Sequence, residues 1–177
     1  HGRSEAAWAD HLDPGLHPDG RVQADAVAAD LAGRFPPMPV WSSPRLRTQE
    51  TAAPLAAAWD ATIAISPAFD EIPSPSEDPG ERKAWLASAL VSNWTDLGPT
   101  IERWHGALLE AVRTTREDIV VFTHFVAVNA VVGAAEGRPE VVVFAPAYVS
   151  VTVVDVDADT GAITVVERGS EATPEVG

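Results

Sequence analysis

The chain has 177 residues, of which 46% are hydrophobic and none is cysteine, and its formal net charge is −14. This predicts a single globular domain over residues 1–177, without disulfides, thiolate metal sites or a cysteine nucleophile. No run of apolar residues reaches the length of a membrane span, and the acidic charge repels nucleic acid and anionic membranes, so we expect neither as a partner. No signal peptide is visible, and we expect a cytoplasmic protein.

Apolar periodicity and the positions of glycine and proline predict helices that alternate with strands. Gly33 is a natural stop for the first helix, and Pro44 is expected at the start of the second, where its missing N–H costs nothing. Several prolines make residues 66–80 an irregular loop. In chain order the predicted elements are a helix over 19–33, a strand over 39–42, a helix from 44 to about 60, a strand over 61–65, the loop, helices over 80–94 and 99–115, a strand over 118–123, a helix over 125–137, and strands over 149–155 and 162–167.

This alternation indicates an α/β fold. We predict a three-layer α/β/α sandwich with a mostly parallel central sheet and an antiparallel hairpin at its C-terminal edge, which the turn signal at 157–161 marks. Residues 120–122 are all apolar, so their strand is expected to be buried on both faces. Ligands of such sheets lie beyond the carboxyl ends of the strands, where Ser42 and Thr123-His124 are expected to meet.

Three short motifs carry most of the chemical information. They are His1-Gly2, the segment from Ser42 to Thr48, and Thr123-His124. Transfer of a phosphoryl group to histidine needs a neutral imidazole as nucleophile and fixed positive charge around the group under attack. Two histidines and an arginine at predicted strand ends supply both.

The order of these motifs resembles the histidine phosphatase superfamily, the phosphoglycerate mutase-like proteins, and in particular its small phosphatase-type members. The resemblance covers residues 1 to about 150. It rests on His1-Gly2, on Asp13 to Ala24, on Ser42 to Arg47 with Thr51-Ala52 after it, and on the strand that ends at His124.

The resemblance implies roles for four residues. His1 is the nucleophile and is transiently phosphorylated, Arg47 grips the phosphoryl oxygens in bidentate fashion, and His124 stabilises the equatorial oxygens of the group in transfer. Glu71 is the general acid that protonates the leaving alcohol, a step that a raised pKa would assist.

Other residues compete for two of these roles. Asp70 and Glu77 are rivals of Glu71, because the continuation that usually follows the family's acid is absent here. Arg45 is the weaker candidate for the phosphate ligand, because the family pattern places the arginine three residues after Pro44. A phosphate pocket in so acidic a chain is expected to be locally positive, with Arg3, Arg45 and Arg47 as sources of that charge.

The implied function is a metal-independent phosphomonoesterase that acts through a phosphohistidine on a small phosphorylated metabolite. We expect no cofactor and no metal, since His11, His17 and His105 show no metal-ligand spacing; His17 is expected to cap the helix that follows it. One alternative is a non-catalytic phosphate-binding or interaction module on the same fold. Another is a phosphoglycerate mutase-type phosphotransferase, for which the chain is short. A third is an unrelated α/β domain whose motifs coincide by chance.

The chain also departs from the family pattern. Phe125 replaces the usual glycine after the second histidine and is expected to narrow the pocket, and Ala7 replaces an asparagine. The arginine and the strand that precede His1 in the family are absent, so we expect about six to ten further residues upstream, enough for one strand. Trp85 and Trp94 fall where relatives line the substrate entrance.

Overall fold

Helices and strands alternate through residues 13–172, the part of the chain that the computed structural model describes. The helices of this part are α1 (Pro18–Arg34), α2 (Leu46–Ala58), α3 (Pro79–Ala89), α4 (Pro99–Arg113) and α5 (Phe125–Glu136). Its strands are β1 (Val40–Ser42), β2 (Ile63–Ile65), β3 (Val120–Phe122), β4 (Val153–Val156) and β5 (Ile163–Glu167). Short 3₁₀ turns at Pro67–Phe69 and Trp94–Asp96 follow β2 and α3. The predicted α/β fold is confirmed.

In the described part of the chain, the central sheet has three parallel strands in the order β2-β1-β3. Val40 of β1 pairs with Ile63 of β2 and with Val120 of β3, so the carboxyl ends of all three strands lie at one edge of the sheet. β4 and β5 form the predicted antiparallel pair, but as a two-stranded sheet of their own and not as the edge of the central sheet. Gly161 enters β5 with a φ of 68°, a left-handed conformation that glycine adopts without strain.

Helices cover both faces of the central sheet, because successive side chains of β1 point to opposite faces. Val40 is fully buried in a cluster with α1 and α2 that includes Leu31 and Leu55. Trp41, the next residue, packs against a second cluster from α4 and α5 that includes Leu108. Burial of each such large apolar side chain contributes about 1.5–3 kcal/mol. The result is three layers, with α1 and α2 on one face and α4 and α5 on the other.

Two predicted boundaries near α1 and α2 are wrong by one or two residues, and the loop over 66–80 is not irregular throughout. α2 begins at Leu46 and not at Pro44, because Arg45 keeps an extended backbone with φ −73° and ψ 135°. α1 continues through Gly33 to Arg34. The loop over 66–80 contains a 3₁₀ turn, since Phe69 is drawn into the core and is only 4% exposed.

The predicted helix over 80–94 is two separate elements. α3 ends at Ala89, and Trp94 starts a 3₁₀ turn because its N–H donates to the carbonyl of Pro139 at 3.0 Å. Trp94 stacks on His105 with ring centroids 4.1 Å apart and is a core residue, so its expected place at the substrate entrance is wrong. Trp85 packs, partly buried, against the same core.

The expected burial of residues 120–122 on both faces is also wrong. All three residues are partly exposed, since β3 is the last strand in the three-stranded order. Within residues 13–172, no helix has the length and apolar character that crossing a membrane requires.

Candidate active site

The carboxyl ends of the three parallel strands bring distant segments together. The N–H of Ser43, directly after β1, donates to the carbonyl of Phe122 at the end of β3, at 3.0 Å. The hydroxyl of Thr123 donates to the carbonyl of Phe69, in the turn that follows β2, at 2.7 Å. Segments 43–48, 70–71 and 123–124 therefore share one edge of the sheet, as ligand sites of parallel sheets do.

His124 lies at the centre of this edge, with only 3% of its side chain exposed. Its Nδ1 lies 3.1 Å from Nη2 of Arg47, and its Nε2 lies 2.8 Å from Oγ of Ser43. Arginine has donors and no acceptor, so Nδ1 must accept. A neutral His124 therefore carries its proton on Nε2 and donates it to Ser43.

A chain of hydroxyl groups supports this tautomer. Oγ of Ser43 accepts from His124 and also from the N–H of Arg45, at 3.2 Å, so its own proton is directed to Oγ1 of Thr48, 2.8 Å away. Thr48 in turn donates to the carbonyl of Arg45 at 2.7 Å. Every group of the chain has a partner, which orients the imidazole ring.

His124 is held neutral by its surroundings. Burial, and after it the positive charge of Arg47, lowers the pKa of His124 from its ordinary 6.5 to about 3, although the Asp70 carboxylate opposes the shift. The ring is consequently unprotonated near neutral pH.

Arg47 connects the histidine to two carboxylates. It lies in the first turn of α2, and its Nη2 also lies 3.4 Å from Oε2 of Glu71. Its Nη1 is 3.8 Å from Oδ1 of Asp13. Burial lowers the pKa of Arg47 and the charges of Glu71 and Asp13 raise it; a guanidinium stays protonated in either case.

Asp70 and Glu71 are adjacent in sequence but have different environments. Asp70 forms a bidentate pair with Arg45, with Nε to Oδ1 at 2.7 Å and Nη2 to Oδ2 at 3.2 Å. Burial raises the pKa of Glu71, although the positive charges of Arg47 and Arg82 oppose this. The raised pKa favours the protonated form of Glu71.

The structure brings Arg47, Glu71 and His124 within hydrogen-bonding or ion-pairing distance of one another. The other candidate of the sequence analysis, His1, lies outside the described residues, as does Arg3. Glu77 is exposed on the loop before α3.

Phe125 and His17 also carried expectations. Phe125, which is expected to narrow the pocket, is the first residue of α5 and is 38% exposed beside the buried His124. His17 caps α1 as expected, since its Nδ1 accepts from the N–H of Asp19 at 3.4 Å.

The local charge of the site is only partly described. In the described part of the chain, Arg45 and Arg47 face Asp13, Asp70 and Glu71, so each of these two arginines already has a carboxylate partner. Arg82 adds positive charge that acts on Arg47 and Glu71, and Arg3 lies outside the described residues, so the expected excess of positive charge stays a prediction. An incoming anion has to compete with Glu71 for Arg47 unless Glu71 is protonated.

Ser43, Thr48 and Asp13 belong to the site but were not predicted. Ser43 and Thr48 could have been suspected from their places directly after β1 and in the first turn of α2. Asp13 contacts α2 from outside the helix, with its Oδ2 accepting from the N–H of Leu46 at 2.8 Å. No local pattern signals such a contact. Residues 13–172 contain no cluster of three or more His, Asp or Glu side chains placed to hold a metal ion.

A sequence model of the histidine phosphatase superfamily (branch 1) matches residues 1–168. No curated protein matches the chain. Among solved structures, Bacillus stearothermophilus YhfR is 19% identical with a TM-score of 0.69, over 98% of this chain and 95% of that one. A mycobacterial glucosyl-3-phosphoglycerate phosphatase is 20% identical with a TM-score of 0.62, over 92% and 90%. An Entamoeba histolytica phosphoserine phosphatase is 18% identical with a TM-score of 0.60, over 88% and 84%. These likenesses show a shared fold.

Proposed function

Because the chain belongs to the histidine phosphatase superfamily, we propose that it is a metal-independent phosphomonoesterase that acts through a phosphohistidine at His1. Membership of this family supports a phosphatase or phosphotransferase activity. The observation that carries the proposal is the hydrogen bond between Arg47 and a buried, neutral His124, with Glu71 on the same guanidinium. In this arrangement, Arg47 can bind an anion and Glu71 can give up a proton.

Arg47 is the proposed ligand of the phosphoryl group. Its side chain is 31% exposed, so an anion can reach it, and the N-terminus of α2 adds a favourable dipole. The unprotonated Nδ1 of His124 accepts from Nη2 of Arg47 and so helps to orient the guanidinium that would bind the phosphoryl group. Arg47 would then stabilise the charge that spreads over the phosphoryl oxygens in the transition state. For His124 to contact the same oxygens, its Nδ1 would have to carry a proton, since an unprotonated nitrogen repels an anion.

Glu71 is the proposed general acid, in preference to its two rivals. Its pKa is raised by burial, which favours the protonated form that a general acid needs. Both oxygens of Asp70 are engaged by Arg45, and Glu77 is exposed on the neighbouring loop.

The proposed reaction has two steps. In the first, an unprotonated nitrogen of His1 attacks phosphorus, the bond from phosphorus to the ester oxygen breaks, and Glu71 gives its proton to the leaving alcohol. In the second, the Glu71 carboxylate takes a proton from water, the oxygen of that water attacks the phosphohistidine, and His1 leaves as inorganic phosphate forms. Glu71 ends protonated, as it began.

The proposed substrate is a small phosphorylated metabolite. Two proteins of the same fold are a glucosyl-3-phosphoglycerate phosphatase and a phosphoserine phosphatase, whose names denote small phosphate esters. The main alternative is a phosphate-binding module without turnover. The pairing of Arg45 and Arg47 with carboxylates and the partly exposed Phe125 favour this alternative.

The test is hydrolysis of a generic aryl phosphate by the full chain in the presence of EDTA, with the reaction stopped by acid. His1→Ala and His124→Ala are expected to lose activity, whereas His17→Asn, which changes an exposed histidine, is expected to keep it. Equal rates in all four proteins would contradict the proposal.

Two further measurements separate the alternatives. Tungstate binding by a protein without turnover would identify a binding module. Isomer exchange of a phosphorylated sugar acid without release of phosphate would identify a phosphotransferase.

A further inference from the structure

Asp13 contacts α2 at its first backbone N–H. Oδ2 of Asp13 accepts from the N–H of Leu46 at 2.8 Å, across 33 residues of sequence. The first N–H groups of a helix lack partners within the helix and are usually capped by the preceding side chain. Arg45 stands in that position and its side chain makes no capping hydrogen bond. Asp13 therefore replaces the missing cap from outside the helix.

The second oxygen of the same carboxylate is directed to the proposed phosphate ligand. Oδ1 of Asp13 is buried, has no hydrogen-bond partner among residues 13–172, and lies 3.8 Å from Nη1 of Arg47. The other terminal nitrogen of Arg47, Nη2, contacts Glu71 and His124. The guanidinium is thus held from one side by Asp13 and from the other by the acid and the histidine.

We propose that Asp13 is a positioning residue for Arg47. One carboxylate fixes the start of the helix that carries Arg47 and, at the same time, the orientation of its guanidinium. The ability of Arg47 to bind a phosphoryl group then depends on a residue that does not itself touch the group. This inference deepens the proposed function and rests on the assignment of Arg47 as the phosphate ligand.

A purely electrostatic role and a positioning role of Asp13 predict opposite changes in anion binding when its carboxylate is neutralised. A negative charge close to an anion site repels the anion, so its removal would strengthen binding if charge were its only effect. If Asp13 positions Arg47, its removal weakens binding. The sign of the change therefore distinguishes the two roles.

The experiment compares Asp13→Asn with Asp13→Ala by titration with tungstate. Asp13→Asn keeps an oxygen for the N–H of Leu46 but loses the charge that faces Arg47. We expect it to weaken tungstate binding at least fivefold while the amide of Leu46 stays protected from hydrogen exchange. Asp13→Ala is expected to weaken binding and to lose that protection. Asp25→Asn, on the exposed face of α1, makes the same charge change as a control and is expected to alter neither.

A second readout keeps this inference separate from the proposed function. The NMR signals of the guanidinium N–H groups of Arg47 can be assigned by their loss in Arg47→Lys. We expect separate signals in the parent protein, where the guanidinium is fixed, and averaged signals in Asp13→Asn. Unchanged signals, or equal or tighter tungstate binding by Asp13→Asn, would overturn the positioning role. If the parent protein binds no tungstate but its Arg47 signals depend on Asp13, the positioning role stands and the proposed function fails.

Discussion

Arg47 donates a hydrogen bond to Nδ1 of His124 at 3.1 Å, and this contact determines the protonation of the buried imidazole. Because arginine cannot accept, the proton of neutral His124 lies on Nε2 and is donated to Ser43. His124, Arg47 and the hydroxyl groups of Ser43 and Thr48 therefore form one hydrogen-bond network, which fixes the tautomer of the histidine. Each can be tested separately.

Ser43 is expected to be essential for the stability of this network. Ser43→Ala leaves the Nε2–H of His124 buried without an acceptor, which costs about 1–3 kcal/mol. Urea unfolding measures the loss. Ser42→Ala is the matched control, since Ser42 is equally buried and, within residues 13–172, its hydroxyl bonds only to the carbonyl of Ser43. A similar loss of unfolding free energy in both variants would mean that the contact between Ser43 and His124 does not contribute more to stability than the hydrogen bond of Ser42.

His124 is expected to make stability depend on pH. Its pKa is lowered from 6.5 to about 3 in the folded protein, so between these values the unfolded chain binds a proton that the folded protein does not. The stability present above pH 6.5 is therefore lost as the pH falls through this window, by up to about 1.4 kcal/mol per pH unit.

Urea unfolding between pH 7 and pH 4 measures this slope. It should be shallower in His124→Gln than in the parent, whereas His17→Gln, which removes an exposed histidine, should leave it unchanged. Parallel pH profiles for the parent and His124→Gln would show that the imidazole is not held neutral by its burial.

Glu71 is expected to couple anion binding to a proton. The pKa of Glu71 is raised by burial, so at low pH Glu71 is neutral and its negative charge no longer competes with an anion for Arg47. As the pH rises through this pKa, the carboxylate forms, competes for the guanidinium and repels the anion, so tungstate affinity should fall. Isothermal titration across this range measures the effect.

Two variants isolate the contribution of Glu71 from the titration of the anion itself. Glu71→Gln should show a flatter dependence of tungstate affinity on pH, and Glu77→Gln, on the exposed loop, should behave as the parent does. The same dependence in Glu71→Gln would assign the linked proton to another group.

Much of the fold follows from local patterns. α1, β1, α5 and the hairpin of β4 and β5 lie within a few residues of their predicted bounds, because helical or strand periodicity and turn residues act locally. The approach of the end of β1 to His124 also follows, because parallel strands place their carboxyl ends at one edge, although the contact is made by Ser43 and not by the predicted Ser42.

The remaining features depend on contacts between distant segments. Asp13 caps a helix that begins 33 residues later, and Trp94 leaves the predicted helix because it bonds to Pro139. The carboxylate partners of Arg45 and Arg47 arise in the same way, since Asp70 and Glu71 follow a different strand from the arginines. Side-chain pairing across a folded sheet leaves no periodic signal in the sequence.

The central claim is that phosphate passes through a covalent bond to His1, and trapping that bond tests it most directly. The full chain is mixed with an aryl phosphate, quenched in alkali, where phosphohistidine survives, and digested for mass spectrometry. We predict a phosphoryl group on the peptide that contains His1, absent in His1→Ala and with a longer lifetime in Glu71→Gln, in which no carboxylate activates water. Turnover of the ester with no phosphorylated His1 at any quench time would contradict the account.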